Sequence, residues 1–246
     1  MDLGLEGKRA VVAGASSGLG LGCAQALAAE GVEVAIGSRS EERITAAADT
    51  IDGAIPLVGD VSTTAGAVDF VERGIEALGG IDILIANAGG PPLGNFSSTA
   101  LDAYAAAIDL NLLSTVAMVH TAVPVMEEQG WGRIVAITSL SVRQPMANLI
   151  LSNTARAGVT GFLKTVATEV GRHGITVNSL QPGLHATERL IGLGTDLEAA
   201  RAGNPTRSVG TAEDFGKIAA FLCSDAARFI TGTALAVDGG AYGGLQ

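Results

Sequence analysis

The residues with the strongest chemical signature are Gly14, Gly18 and Gly20, within Ala13-Gly14-Ala15-Ser16-Ser17-Gly18-Leu19-Gly20. Glycines at this spacing let a backbone turn sharply and approach a pyrophosphate closely. Ser16, Ser17 and Leu19 complete the loop. It leaves an apolar run, Arg9–Ala13, and enters a helical pattern from Leu19. The free N–H groups and positive dipole end of that helix then face the same phosphate. The plainer reading is a tight turn that binds nothing.

A second apolar run, Val32–Gly37, is followed by Ser38 and Arg39. A dinucleotide site usually carries an acidic residue about 20 residues beyond the glycines, where it holds the ribose 2′-hydroxyl. No carboxylate stands there. A neutral residue followed by a planar guanidinium suits a 2′-phosphate, so NADP(H) is expected over NAD(H), with Ser38 and Arg39 at the phosphate. Alternatively, Arg39 is a solvated charge beside Glu41 and Glu42.

Further polar residues close later apolar runs. Asp60, before Val61, has two readings: an acceptor for an adenine amino group, or a cap for the next helix. Asn87 leads Ala88 and Gly89 and ties strand ends together. Gly90–Gly94 is stiffened by two prolines and is expected to line one pocket edge. The central stretch runs from Ser139 to Arg156, across a Pro-containing loop into a helix rich in small residues. Ser152 and Arg156, four residues apart, share one helical face.

These groups need a frame. Apolar runs of strand length lie at Arg9–Ala13, Val32–Gly37 and near Ala54, Ile81, Ile134, Ile175 and Leu235. Between them, apolar residues recur near every 3.6 positions over Leu19–Glu30, Glu41–Ile51, Ala65–Leu78, Leu101–Glu128, Leu149–Arg172 and Ala212–Leu222. Strands alternating with helices imply an α/β fold of Rossmann type: a doubly wound, seven-stranded parallel sheet with helices on both faces. Ligands then bind at the carboxyl ends of the strands. No linker divides the 246 residues, so a single domain over 1–246 is expected.

The composition excludes several classes. A net charge of −10 argues against nucleic acid and against an anionic membrane surface. The two cysteines, Cys23 and Cys223, are scattered, and no metal-ligand spacing occurs, so no metal is expected. The N-terminus lacks an apolar signal core, and no run is expected to reach membrane-spanning length without interruption. A cytoplasmic location is the expectation.

The glycine spacing, Asp60-Val61, Asn87-Ala88-Gly89, Asn111, Ser139, Pro182-Gly183 and the C-terminal Thr231–Gly240 together resemble the short-chain dehydrogenase/reductase family, most of all its 3-oxoacyl-carrier-protein reductase-like and glucose-dehydrogenase-like members. The resemblance spans almost the whole chain. It implies a homotetramer (or homodimer) that binds NAD(P)(H) and interconverts the carbonyl and alcohol of a small or carrier-bound substrate. It assigns Ser139 to the catalytic serine and Asn111 to a residue holding a water relay. A buried Asn satisfying a local backbone break is compatible with that role. Pro182, Gly183, Leu184 and Thr187 fall on the nicotinamide loop, with Thr187 at the carboxamide or pyrophosphate. A substrate lid is expected near 187–210.

One departure stands out. Family members carry a tyrosine about thirteen residues after the serine and a lysine four further on. Here those positions hold Ser152 and Arg156. Tyrosine titrates near pH 10, within reach of tuning; a serine hydroxyl is a far weaker acid. Arginine stays protonated and relays no proton, although it still hydrogen-bonds ribose or phosphate. Ser152 is therefore expected to polarise the carbonyl and Arg156 to anchor the ribose. His185, Tyr242, water or the substrate are alternative proton sources. Tyr104 and His120 read as packing or interface residues, and His173 with Gly174 as a helix terminus. Two other functions fit the same pattern: a nucleotide-binding sensor or structural subunit, and a non-redox reaction in the same pocket.

Overall fold

The central strand segments Arg9–Val12, Glu33–Ser38 and Ile83–Ala86 are mostly apolar on both sides, as a sheet covered by helices on both faces requires. The computed structural model describes residues 2–192 and 194–245. The strands are β1 (Arg9–Val12), β2 (Glu33–Ser38), β3 (Ile55–Val58), β4 (Ile83–Ala86), β5 (Gly132–Ile137), β6 (Ile175–Pro182) and β7 (Ala234–Val237). They form one sheet in the order β3-β2-β1-β4-β5-β6-β7, with every pairing parallel. The chain first winds outward from β1 to β3 and then restarts on the other side at β4. A crevice therefore opens between the C-terminal ends of β1 and β4.

The strand period of two divides the core. Ala10, Val12, Ile83, Ile85, Val135 and Leu180 face helices α1 (Gly18–Ala29) and α9 (Ala212–Cys223). Val11, Ala13, Leu84, Ala86, Ile134 and Val177 face α3 (Thr64–Leu78), α5 (Ser114–Gln129) and α6 (Ile150–Val170). Cys23 and Cys223 are free thiols buried in the first layer.

Local chemistry sets the helix ends. Ser40 accepts from the Arg43 amide to start α2 (Glu41–Ala48), and Glu41 and Glu42 add negative charge in its first turn. Thr211 and Asp214 form a reciprocal capping box on α9. After α6, a short turn carrying Arg172 and His173 ends at Gly174, in the left-handed region at φ 74°. That is the expected terminus.

The long helical pattern from Leu101 divides into α4 (Ala103–Ile108), a π-helical turn (Asp109–Leu113) and α5. The run Ala103–Gln129 stays continuous, and its length and mean hydropathy of 1.4 meet those of a membrane span. This corrects the expectation that no run is long enough. Part of the run is buried, and its Ala117, Met118, Val119, Ala122 and Met126 belong to the second core layer, as in a core helix. His120 lies on its exposed face rather than in the core, and Tyr104 is half-buried. Two short helices, α7 (Glu188–Gly192) and α8 (Leu197–Gly203), fall in the expected lid segment.

Helices α1 and α9 touch backbone to backbone. A Cβ on Gly22 would lie 2.1 Å from the Ala212 carbonyl oxygen, and one on Gly216 would lie 2.1 Å from the Gly22 oxygen. Alanine at position 216 improves helix propensity by about 1 kcal/mol, but a contact this short forces the helices apart, and overpacking costs about 1–3 kcal/mol. Gly216→Val is expected to lower the urea midpoint accordingly, more than a valine at exposed Gly203, which has open space around its Cβ position.

Candidate active site

The Gly-rich loop crosses the crevice between β1 and β4. Gly14 and Gly18 both adopt φ 59°, which favours glycine. A Cβ on Gly20 would lie 2.3 Å from the Gly14 oxygen, and one on Gly14 would lie 2.8 Å from the Asn87 amide nitrogen. Asn87 Nδ2 donates to that same Gly14 oxygen at 3.1 Å, which ties the loop to the end of β4. Asn87 therefore has the structural role expected of it.

The loop fits an anion. Ser17 is the N-cap of α1, yet its side chain caps no amide, and no acidic residue occupies the first turn. The first amides of α1 are left without a side-chain acceptor, as a phosphate site requires. Ser17 Oγ instead accepts from Arg43 Nη2 at 3.2 Å. Ser16 and Leu19 are partly buried beside it.

The adenosine end differs in detail from the sequence reading. Ser38 Oγ donates to the Ser40 carbonyl at 3.2 Å, and Arg39 is exposed. Arg43 was not anticipated, although the signal was present. With Ser40 as N-cap, residue 43 sits one turn in and can reach back to the loop. Asp60 does not cap α3; Thr63 does, accepting from the Gly66 amide at 3.1 Å. Asp60 Oδ1 accepts from the Ser62 amide at 3.0 Å in a local turn, and the side chain is exposed. Val61 packs at the edge of the second core layer.

At the other end, Asn111 is 2% exposed within the π-helical turn. Its Nδ2 donates to the Gly89 carbonyl at 2.7 Å, while its buried Oδ1 has no protein partner. An unsatisfied buried oxygen of this kind suits a water or a ligand donor. A Cβ on Gly89 would meet open space, so the chain beside Ala88 and Gly89 is free to approach a ligand.

Ser139 Oγ accepts from the Ser141 amide at 3.1 Å. Ser152, one turn before Arg156 on α6, is 8% exposed and has no hydrogen bond to another described residue. Arg156 Nη1 donates to the Ile137 carbonyl, two residues before Ser139, at 2.7 Å. Its Nη2 lies 3.5 Å from the Ala88 carbonyl. This one side chain thus brings together β5, the Asn87-Ala88-Gly89 turn and α6. Burial, reinforced by the nearby Arg189, pushes its pKa down to about 10, so it remains a cation at neutral pH.

Beyond β6, a Cβ on Gly183 would fall 2.7 Å from Asp238, and Leu184 is partly exposed beside it. Pro182 closes the strand. Thr187 Oγ1 accepts from the Leu190 amide at 3.4 Å, and its Cγ2 lies 3.5 Å from the Cβ position of Gly18. The base of the lid segment therefore meets the phosphate loop.

The two side chains named as alternative proton donors sit in different surroundings. His185 is 5% exposed, packs edge-on against Phe215 with ring centroids 5.2 Å apart, and has Nδ1 3.2 Å from the Gly183 carbonyl. It is buried against α9 rather than facing solvent, which counts against it as the alternative proton source. Tyr242 lies over the Arg143 guanidinium, 5.8 Å from ring centroid to Cζ.

With this arrangement established, comparison with known proteins is informative. The model of a family described as Enoyl-(Acyl carrier protein) reductase matches residues 14–242. The chain belongs to the short-chain dehydrogenase/reductase family. It is 35% identical to L-rhamnose 1-dehydrogenase (NAD(P)(+)) of Sphingomonas sp. (strain SKA58), covering 98% of this chain and 99% of that one. It is 32% identical to dehydrogenase/reductase SDR family member 4 of Sus scrofa, over 96% and 88%. Among solved structures, L-sorbose reductase of Gluconobacter frateurii, complexed with NADPH and L-sorbose, superposes with a TM-score of 0.94 at 31% identity, covering all of both chains. The family is one of oxidoreductases, and the seven-stranded Rossmann-type sheet is shared with these structures.

Burial lowers the pKa of His185 more than the Gly183 carbonyl and Asp214 raise it. Its folded value lies below its ordinary 6.5, so the native state binds fewer protons than the unfolded chain. Stability is therefore complete above 6.5, falls as pH drops from there toward the depressed folded value, and levels off below that value. Chemical denaturation at pH 7.5 and 5.5 is expected to show this loss, and His185→Gln to flatten it.

Proposed function

We propose that this chain is an NADP(H)-dependent oxidoreductase that interconverts a carbonyl and an alcohol through a modified proton path. The observation that carries the cofactor preference is the placement of Arg43. Its guanidinium rests on Ser17 of the phosphate loop while pairing with exposed Glu188, and no carboxylate stands at the end of β2 itself. Arg39, directly after β2, is exposed. Two guanidinium groups there favour a 2′-phosphate over a free 2′-hydroxyl. The L-sorbose reductase structure, complexed with NADPH, supports the same choice.

In this reading the dinucleotide, when bound, supplies or accepts the hydride. The loop Gly14–Gly20 and the N-terminus of α1 hold its pyrophosphate. Asp60 and Val61 border the adenine, and Asn87, Ala88 and Gly89 the nicotinamide ribose. Pro182, Gly183, Leu184 and Thr187 lie along the nicotinamide. Ser139 and Ser152 donate hydrogen bonds to the substrate oxygen. Arg156, a fixed cation, stabilises negative charge developing there and anchors the ribose, but delivers no proton. Asn111, with its free Oδ1, orients a water that does.

A positioned general acid contributes about 10²–10⁴ in rate. With a serine at position 152, turnover is slow on unactivated ketones and faster where the substrate or a water supplies the proton. The 3-oxoacyl-carrier-protein reductases remain a model for a carrier-bound substrate, and a homotetrameric, cytoplasmic enzyme is the assembly and location this reading carries. Residues 187–210 act as the substrate lid.

The test is a fluorescence titration with NADPH and NADH, followed by carbonyl-reduction assays of the wild type, Ser152→Tyr, and Ser152→Tyr with Arg156→Lys. NADPH is expected to bind about tenfold or more tighter than NADH, with the margin lost in Arg43→Ala. The wild type is expected to turn over, and Ser152→Tyr to change its pH profile. If only the double variant is active, the native chain is a nucleotide-binding protein rather than a reductase.

A further inference from the structure

Two guanidinium groups from different elements converge on the turn after β4, and neither has a carboxylate partner among the described residues. Arg156 reaches it from α6, with Nη2 3.5 Å from the Ala88 carbonyl. Arg189 reaches it from α7 and donates from Nη1 to the Gly90 carbonyl at 3.3 Å. Its guanidinium lies so close to Gly90 that a Cβ there would fall 2.1 Å from a guanidinium nitrogen. The two acceptors are two residues apart, with Gly89 and its open Cβ direction between them.

What sets this pair apart is that two guanidinium groups share one turn of backbone with carbonyl acceptors and no counter-charge among the described residues, in a chain with 25 acidic and 15 basic residues. Arg9, Arg43, Arg73, Arg133 and Arg201 each lie within ion-pair distance of a carboxylate. Glu188, the carboxylate adjacent to Arg189 in sequence, turns away to Arg43 at 2.7 Å. The like charges of Arg156 and Arg189 act on each other, since Arg189 contributes to the lowered pKa of Arg156. An anion placed between them would relieve that repulsion and pair with a planar donor on each side.

The position selects the anion. The free amides of α1 and Arg43 lie at the phosphate loop, which accounts for the phosphates of the dinucleotide. The Arg156–Arg189 pair lies instead beside Ala88 and Gly90, next to the ribose that Arg156 anchors in the reading above and on the side of Ser152 and the α6 helix, where a substrate would meet the nicotinamide. We propose that Arg156 and Arg189 form a clamp for the carboxylate of the substrate, so that the preferred carbonyl substrates are small oxo acids and the alcohols are hydroxy acids. The bond that is reduced rests on the function proposed above; the binding of the acid does not. The reaction balances as oxo acid, NADPH and a proton giving hydroxy acid and NADP⁺. The hydride joins the carbonyl carbon and the proton its oxygen.

The experiment compares 2-oxobutanoate, acetoacetate and levulinate with their methyl esters on the full chain. Turnover with saturating NADPH is measured, and calorimetric binding to the NADP⁺ complex. At least one acid is expected to be preferred over its own ester by about 10- to 100-fold, the range of a charge-assisted hydrogen bond. Arg189→Ala is expected to remove that margin mainly through KM, with NADPH affinity within about twofold of wild type, and Arg189→Lys to restore part of it. The proposal is overturned if no acid binds better than its ester. It is also overturned if Arg189→Ala weakens NADPH as much as the acid, which would place the pair on the cofactor. Acid-selective binding with no turnover of any of the six compounds would sink the reductase reading and leave the clamp standing.

Discussion

One hydrogen bond, from the Asn87 side chain to the carbonyl of Gly14, holds together the two halves of the site. The first βα turn must fold back over the end of β4 with almost no space between backbones. Gly14 and Gly20 stack there because neither carries a Cβ. Any side chain at these positions lifts the loop off the crevice and misdirects the amides of α1. The other parts of the site are referenced to this point: Gly89 through its chain connection to Asn87, Asn111 through Gly89, and Thr187 through Gly18.

Charge is distributed against the overall sign of the molecule. The protein is acidic, yet arginines gather at both ends of the crevice. At the adenosine end the charges are solvated and cheap to hold. Arg156 is different, because the protein has removed much of its water and supplied one good carbonyl acceptor rather than a counter-charge. Desolvating an ion costs several kcal/mol even after relaxation. Such a cation is retained for what it binds rather than for the stability it adds.

The fold was largely legible from the sequence, because the central strands are mostly apolar on both sides and the βα turns begin with a polar or glycine signal. The phosphate loop was equally legible, since its glycines are demanded by backbone contact. What escaped depended on tertiary placement. Arg43 looked like one charge in a charged helix start, until the Ser40 cap aimed it at Ser17. Of the two readings of Asp60, the cap is made by Thr63 instead. His185 is an alternative proton source by its place in the sequence, but it bridges to Gly210 and its ring packs on Phe215. The π-helical turn has no composition of its own, and helices as short as α7 and α8 complete too few turns for periodicity to show. The substitutions at Ser152 and Arg156 were plain in the sequence, but the pairing of Arg156 with Arg189 needed the folded turn between them.

The ion pair between Arg43 and Glu188 joins the phosphate loop side to the start of α7. Both side chains are more than half exposed, at 54% and 73%. Exposed pairs of this kind contribute about 0.2–1 kcal/mol. In populations, that is about a 1.4- to 5-fold bias toward the tethered arrangement, and no more. The contact therefore tilts an equilibrium that a stronger anion at Arg43 can reverse, and that added salt weakens without touching the core.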